Sequence, residues 1–429
     1  MIITNKKWIG LLLFVILLSC SKNSGGDPNG GNNGGEDDSN DDLIGAVLPD
    51  WEEGYLDIHA INTGRGESQL FIFPDGTTML VDAAGANVSP GNAIPPTASK
   101  PNDNVSAGLV VTNYTRHFIK PASNKINYLH LTHFDPDHMG AYSTSFPLDP
   151  TQQFRMTGIT EVGAKIDFDK LIDRGYPDYN YPTNLISGAT GQRITNYIKF
   201  VDWAKANKGV VAEQFAVGRN DQIVMTENPA KYPDFEIRNI CSNGVVWTGS
   251  GTNTTNTFPP DPSAGSENVF TTAFTLSYGK FDFFSGGDLQ YNGRTANPWM
   301  DIEAPVAAVV SEVEVMKANH HATLHCNGTA ILNKLKPQAV IIHVFRDVQP
   351  NPETIGRMLD INPYCQIFTT NMTDANKPRL GADLNKLRAT QGHIVVRVSP
   401  GGDEYYIYTL DDTNQDYKVN GVYGPYKSK

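Results

Sequence analysis

The sequence predicts an α/β (α+β) domain in which sheets are covered by helices on their outer faces. Three observations carry that prediction. Apolar runs of strand length come in sets, and segments with helical spacing interrupt the sets. Elements in that order bury their apolar faces by stacking in layers. The body that follows Trp51 runs for about 380 residues, enough for one large layered domain with insertions, or for two domains.

The elements follow in order. "YLDIHAI", "SQLFIFP" and "TTMLVDAAG" are short apolar runs separated by the turn segments "NTGRGE" and "PDGT", and they predict consecutive strands of a meander. "AGLVVTNYTRHFIK" has helical spacing, and "KINYLHLTH" reads as a buried strand. Residues 145–265 are mixed. There "GQRITNYIKFVDWAKAN" puts Ile194, Ile198, Val201 and Ala204 on one helical face, between the loop-rich stretches "DRGYPDYNYPTN" and "SGTNTTNTFPPDPSAG". "NVFTTAFTLSYGKFDFFSGGDL" predicts a hairpin turning at "YGK". Helices over "DIEAPVAAVVS", "GTAILNKLK" and "NPETIGRMLDI" alternate with strands over "EVEVMKAN" and "QAVIIHV", and "GHIVVRVSPGGDEYYIYTL" predicts a closing hairpin.

The start of the chain has its own logic. Lys6 and Lys7 precede the apolar run "WIGLLLFVILL", and "LLSC" ends at Cys20. A basic start, a short apolar core and small residues at the end describe an export signal over residues 1–19. The run is too short to span a bilayer comfortably. "LLSC" resembles a bacterial lipobox, which implies lipidation of Cys20 after cleavage. The Gly/Asn/Asp-rich stretch that follows has too few apolar residues to join a core, so residues 20–49 are expected to form a disordered tether and residues 50–429 the folded domain. This predicts a protein of the bacterial cell envelope, on the outer membrane or cell surface, touching the membrane only through its lipid. A net charge of −12 with no Lys/Arg-rich run carries no strong signature of nucleic-acid binding. Cys241, Cys326 and Cys365 are odd in number, irregularly spaced and without a CxxC pair, so they suggest neither a disulfide framework nor a structural zinc.

The chemistry concentrates in "LTHFDPDHMG", residues 131–140, where His133, Asp135, Asp137 and His138 fall within six positions at the end of a predicted strand. A lone HxD there would read as a polar turn. At this density, alternate residues of a tight turn point to one spot, and carboxylates so close repel one another unless a cation lies between them. Imidazole nitrogen with carboxylate oxygen is a ligand set for a divalent metal.

"THFDPDHMG" resembles the HxHxDH signature of the metallo-β-lactamase fold, with Asp135 at the second histidine. The resemblance covers most of residues 55–410. "NTGRGESQLFIFPDGTTMLVDAAG" is similar to that fold's opening strands, with Asp82 at its supporting acid. "FDFFSGGDL" is similar to the strand that ends in the metal-bridging aspartate, here Asp288. "VMKANHHATLHCN" resembles the "HHGS" segment of the branch that holds the hydrolase domain of DNA-uptake competence proteins and the bacterial phosphorylcholine esterases. The resemblance implies an αββα sandwich with a long insertion, about residues 145–265, between the first and second metal motifs. It also implies two divalent metal ions, zinc or manganese, that activate a water.

There are departures. The usual third histidine falls on Asn268, the glycine and serine of "HHGS" are Ala322 and Thr323, and Glu67 stands where that branch has aspartate. The implied ligands of one metal are His133, Asp135 and Asp288, with Asn268 weak or absent. Those of the other are Asp137, His138, Asp288 and one of His320 and His321, with His321 favoured. Asp137 and His320 are the implied catalytic residues, His320 facing the oxyanion, and Asp82 orients a ligand. Arg174 is a candidate phosphate contact, Thr323 a candidate substrate contact, and Tyr176, Tyr179, Tyr181 and Trp247 are candidates for an aromatic wall. Residues 145–265 are expected to form or overhang the cleft. The implied activity is hydrolysis of a small or polymeric phosphodiester. The alternatives are a lactonase or amidase of the same fold and a non-catalytic surface binding lipoprotein.

Overall fold

The computed structural model describes residues 43–86, 97–120, 122–188, 190–263, 265–291 and 297–429. The expected signal segment, Cys20 and most of the expected tether lie outside the described residues. Eighteen strands among the described residues form two mixed sheets. The first sheet takes β1 (Leu56–Ala60), β2 (Gln69–Ile72), β3 (Thr78–Val81), β4 (Ile126–His130), β5 (Phe168–Asp173) and β6 (Val211–Gln214). The second takes β7 (Phe235–Ser242), β8 (Val245–Trp247), β9 (Thr254–Asn256), β10 (Ala273–Tyr278), β11 (Phe281–Ser285), β12 (Val315–Lys317), β13 (Ala339–Ile342), β14 (Gln366–Thr369) and β15 (Leu387–Ala389). The chain then returns to the first sheet with β16 (His393–Val398), β17 (Glu404–Leu410) and β18 (Val419–Lys427). Spatial order is β18-β17-β16-β1-β2-β3-β4-β5-β6 in one sheet and β15-β14-β13-β12-β11-β10-β7-β8-β9 in the other.

The continuous apolar runs have a direct cause: both faces of each sheet are covered. Along β2, Leu70 and Ile72 face the helices while Phe71 enters the core between the sheets. That inter-sheet core joins Phe71, Met79 and Val81 to Phe274, Phe283, Val315 and Ile341 of the other sheet. The period-2 alternation of a strand thus serves two cores at once. On the first sheet's outer face lie α1 (Ala107–Ile119), α3 (Gly158–Lys165) and α4 (Gly191–Lys208). The one-turn α2 (Pro136–Met139) carries part of the expected metal motif. The second sheet's outer face is covered by α5 (Glu303–Ala307), α6 (Thr329–Leu335) and α7 (Pro352–Ile361). The order of layers is helix, sheet, sheet, helix. No helix among the described residues is long and apolar enough to cross a membrane.

Two expectations change. The segment 145–265 is not an overhang: β5 and β6 extend one sheet, β7 to β9 extend the other, and α3 and α4 pack on the first. The folded body also starts before residue 50. Val47 bridges to Lys418, the Gly45 N–H donates to the Val419 carbonyl at 2.8 Å, and Leu48 is buried. The short apolar stretch "LIGAVL" covers the β18 edge.

What the fold contributes to the site is a shared edge. β3 to β6 run parallel, and so do β11 to β14. The loops after β3, β4, β11, β12 and β13 meet there, outside the carboxyl ends of strands from both sheets.

Candidate metal centre

Each site element starts where a strand ends. Asp82, just past β3, has φ 58°, a left-handed conformation unusual for any residue but glycine or asparagine. In return its carboxylate accepts from the Thr132 N–H at 2.8 Å and the Thr132 hydroxyl at 2.7 Å, and its Oδ2 lies 2.7 Å from His138 Nδ1. Past β4, the chain turns into α2 and brings His133, Asp135, Asp137 and His138 to one rim. Gly66 allows the opening loop to pass beneath that turn: at φ 133°, a Cβ there would lie 2.1 Å from the Asp137 carbonyl oxygen. The Glu67 N–H donates to the same carbonyl at 2.8 Å.

From the second sheet, β11 runs through "SGG" into Asp288, and β12 leads to the histidine pair. His320, His321 and Ala322 all have left-handed φ, at 46°, 54° and 54°. Ala322, at the position of a glycine in the "HHGS" pattern, adopts the backbone that glycine favours. The strained run is braced from beneath. Asn327 Oδ1 accepts from the Asn319 N–H at 3.0 Å, and Glu303 accepts from Asn319 Nδ2 and from the N–H groups of Asn327 and Gly328 at 2.6–2.8 Å.

Asp288 is the meeting point. Its Oδ1 is 3.2 Å from His138 Nε2, and its Oδ2 is 3.6 Å from His321 Nε2, 3.7 Å from His320 Nε2 and 3.9 Å from His133 Nε2. Asp137 Oδ2 is 3.3 Å from His321 Nε2, and Asp135 Oδ2 is 3.9 Å from His133 Nε2. Among the described residues, His133 Nε2, His138 Nε2, His321 Nε2 and Asp288 Oδ1 are buried and have no hydrogen-bond partner. Buried polar atoms are normally partnered, and four metal-ligating atoms left open towards one point fit a cation. The far sides of the rings are occupied: His138 Nδ1 by Asp82, His321 Nδ1 by the His343 carbonyl oxygen at 3.1 Å, His133 Nδ1 by the hydroxyls of Thr132 and Thr271. Such contacts orient a ligating imidazole.

A buried group of Glu67, His138, Asp288 and His321 could hold a metal ion, each with a donor atom within 4.8 Å of the others. Glu67 is the least available of the four. Its Oε2 is 2.7 Å from Lys317 Nζ and its Oε1 accepts from Gln69 Nε2 at 2.9 Å. Lys317 also donates to the Gly287 carbonyl at 2.6 Å and lies 4.0 Å from Asp288 Oδ1. This buried ion pair sits under the site and fixes the approach to Asp288.

The electrostatics suit a cation. Burial works against charge on His138, but Asp288 and Asp82 outweigh it and hold the imidazole well above the usual histidine range. Burial is likewise overcome at His321, where Asp288 and Asp137 push it up to about 9. At Asp288 burial is outweighed by His138, His321 and His320, which hold the carboxyl well below its usual range. Protons on the imidazoles balance the carboxylates, the task a metal ion performs when it displaces them. At Asp135, burial and the charges of Asp137 and Glu267 push the carboxyl up to about 7.

His320 is the more open histidine of its pair, one quarter exposed where His321 is sealed. It lines a cleft of about 420 Å³ with Asp135, Asp137, Asn268, Asp288 and Thr323. Asn268 Nδ2 is 3.0 Å from His320 Nε2, and the buried Asn268 Oδ1 has no partner among the described residues. Thr323 Oγ1 is 3.0 Å from His320 Nδ1, so it braces the ring as well as facing the cleft.

Arg174 stands elsewhere. It is fully buried, its Nε and Nη2 reach Glu267 at 2.7 and 2.5 Å, and its guanidinium lies between the rings of Phe134 and Phe270. It is a fastening between the metal loop and the segment before β10, with no capacity left for a phosphate. The expected aromatic wall is also absent from the cleft. Tyr179 is buried with its hydroxyl on Asp173, Tyr176 and Tyr181 pack against the helix-side cores, and Trp247 stacks with Arg238. Among the described residues, none of 145–265 lines the cleft; Phe345, Arg346, Val348 and Gln349, in the loop after β13, do so instead. His130 packs beneath the site, stacked on Phe215 and bonded to Thr272 Oγ1 at 2.9 Å, and burial pushes its imidazole down to about 3.

Sequence reasoning missed Lys317 as the partner of Glu67 and missed Arg346. The one signal for Arg346 was its place just beyond a strand in the parallel half of the sheet, where ligands gather. No family model matches the chain, and no curated protein matches it.

Proposed function

We propose that this chain is a metal-dependent hydrolase of the bacterial cell envelope that cleaves phosphodiesters, using two divalent ions, zinc or manganese, on a metallo-β-lactamase arrangement of its αββα layers. The observation that carries the proposal is the convergence of His133, His138, His321 and Asp288 on one point with their ligating atoms unpartnered and buried.

In this reading His133, Asp135 and Asp288 hold one ion, with Asn268 Oδ1 a weak further donor. Asp137, His138, His321 and Asp288 hold the other. The oxygen-rich set favours manganese or mixed occupancy over zinc alone. When bound, the ions supply Lewis acidity and lower the pKa of water. The protein's own groups do the rest. Asp82 keeps the His138 ring turned so that Nε2 faces inward. Asp137 lies at the cleft floor, where it can take a proton from the attacking water. His320, held at Nδ1 by Thr323, faces the cleft where negative charge grows on a phosphoryl oxygen; a donor placed there stabilises the transition state more than the ground state, and His320 Nε2 serves as that donor when the Asn268 amide nitrogen, 3.0 Å from it, turns away. Lipid anchoring at Cys20 would place this activity at a membrane surface.

The test is elemental analysis joined to a substrate panel. The protein should carry close to two ions per chain and hydrolyse bis(p-nitrophenyl) phosphate in a chelator-sensitive manner. Turnover of lactones or amides in preference to the diester would replace the substrate class. Full metal loading with no turnover of any ester would favour a binding protein.

A further inference from the structure

Arg346 lies four positions beyond the end of β13 and lines the same cleft as Asp135, Asp137, Asp288 and His320. Its backbone is held by hydrogen bonds and its guanidinium rests on a ring, while the guanidinium donors stay open. Gln349 Oε1 accepts from the N–H groups of Phe345 at 3.0 Å and Arg346 at 3.1 Å, and the Gln349 N–H donates to the Arg346 carbonyl at 3.1 Å. Phe345 is buried with its ring edge-on to His321, centroids 4.9 Å apart, and the Arg346 guanidinium carbon is 5.0 Å from the centroid of the Phe345 ring. The cation is therefore stacked one ring away from a histidine of the metal centre.

Of the other two arginines near the site, Arg174 is committed to Glu267; Arg193 faces Asp135, whose Oδ1 lies 3.8 Å from its Nη2, with its buried Nε unpartnered among the described residues, and it is not among the residues that line the cleft. The Arg346 side chain makes no ion pair and donates no hydrogen bond among the described residues, and the internal segments outside them contain no aspartate or glutamate. A guanidinium stacked on a ring with open donors facing a cleft is suited to receive an oxyanion, and it does so at a lower entropy cost than a free side chain.

Resting on the phosphodiester reading above, we infer that Arg346 holds a second anionic group of the substrate, outside the phosphate gripped at the metal centre. Among the described residues no ion pair or hydrogen bond joins the guanidinium to Asp135, Asp137 or Asp288, so its donors stand apart from the ligand carboxylates, and the oxyanion bound by Arg346 is in this inference a different group from the one at the metal ligands. The substrate class becomes a phosphodiester with a further phosphate or carboxylate a few bonds from the scissile phosphorus.

Two product-like probes of equal size separate the two contacts. Glycerol 3-phosphate offers one anionic group, and 3-phosphoglycerate offers the same phosphate with a carboxylate added. Their affinities for the metal-loaded protein are measured by calorimetry for wild type, Arg346→Ala and Arg346→Lys, with melting temperature as the control for folding. Loss of the charged partner should weaken 3-phosphoglycerate roughly tenfold and leave glycerol 3-phosphate within about twofold. Arg346→Lys should recover part of the loss, since it restores charge without the planar fork. Unchanged 3-phosphoglycerate binding in Arg346→Ala, with glycerol 3-phosphate still bound, overturns this inference alone. Equal weakening of both probes also overturns it, by assigning Arg346 to the phosphate at the metals. If neither probe binds wild type, the phosphodiester reading falls together with it.

Discussion

Asp288 shows at the scale of one residue how the site is balanced. Four imidazoles and the Lys317 ammonium surround it within 4.0 Å, and its carboxyl stays ionised although burial opposes this. Asp288→Asn keeps the shape and removes the charge that two cations would share. Metal content should fall for both ions together, and the rate on a chromogenic phosphodiester should drop by about 10²–10⁴-fold. The fold should persist, because the turn before Asp288 is set by the backbone of "SGG" and by Thr271, not by the carboxylate. Elemental analysis and melting temperature distinguish this from a structural aspartate, which would lose stability and keep its metal. Arg174 teaches the converse. A Tyr/Pro-rich loop around an arginine has the composition of a binding wall, but the groups that decide its role, Glu267, Phe134 and Phe270, come from 93, 40 and 96 positions away, and local sequence says nothing of them.

At the scale of elements, what could be read from the sequence followed from burial on two faces. β1 to β4 are buried throughout and mostly apolar because helices cover one side and the second sheet the other, so their runs stand out. β5, "FDKLID", and β7, "FEIRNICS", carry charges on partly exposed positions near sheet edges, so their pattern dissolves into the polar stretch around them and the segment reads as an insertion. The loops of the candidate metal centre were legible because histidine and aspartate are dense where a strand stops. Their support was not: Gly66 beneath α2 and Glu303 beneath the histidine pair act across the fold. Gly66→Ala tests that support. The added Cβ would meet the Asp137 carbonyl in a backbone conformation that alanine disfavours, so the variant should lose roughly 2–4 kcal/mol of stability and bind metal more weakly, as the Asp137–His138 turn shifts. Gly45→Ala is the control. Its φ is also positive, but nothing lies within 4 Å of the new atom, so it should cost only about 1 kcal/mol and leave metal binding intact. Equal effects of the two would mean that backbone strain alone, and not the approach to α2, explains Gly66.

At the scale of the whole molecule, the site is a clasp between two sheets. Asp82, His133, Asp137 and His138 come from loops of the first, and Asp288, His320 and His321 from loops of the second. A cation bound by both groups binds only the folded chain, and at a thousandfold excess over its dissociation constant it would add about 4 kcal/mol of stability. The pH dependence of that gain follows from the protons it displaces. In the metal-free protein His321 is raised to about 9 by Asp288 and Asp137, which outweigh its burial, whereas the unfolded chain releases this proton near the ordinary value of 6.5. The folded state therefore binds more protons between those values, and the stability this contributes is complete below pH 6.5 and lost as pH rises through about 9. The melting temperature of the metal-free protein should decline across that window. The metal-loaded protein has no such proton to lose, so the gap between the two forms should widen from pH 6.5 to 9, and metal uptake at pH 7 should acidify a weakly buffered solution. Calorimetric melts with and without manganese or zinc, at several pH values, read this out without any substrate. A gap that stays constant with pH would mean that the ion does not displace the histidine protons and therefore binds elsewhere.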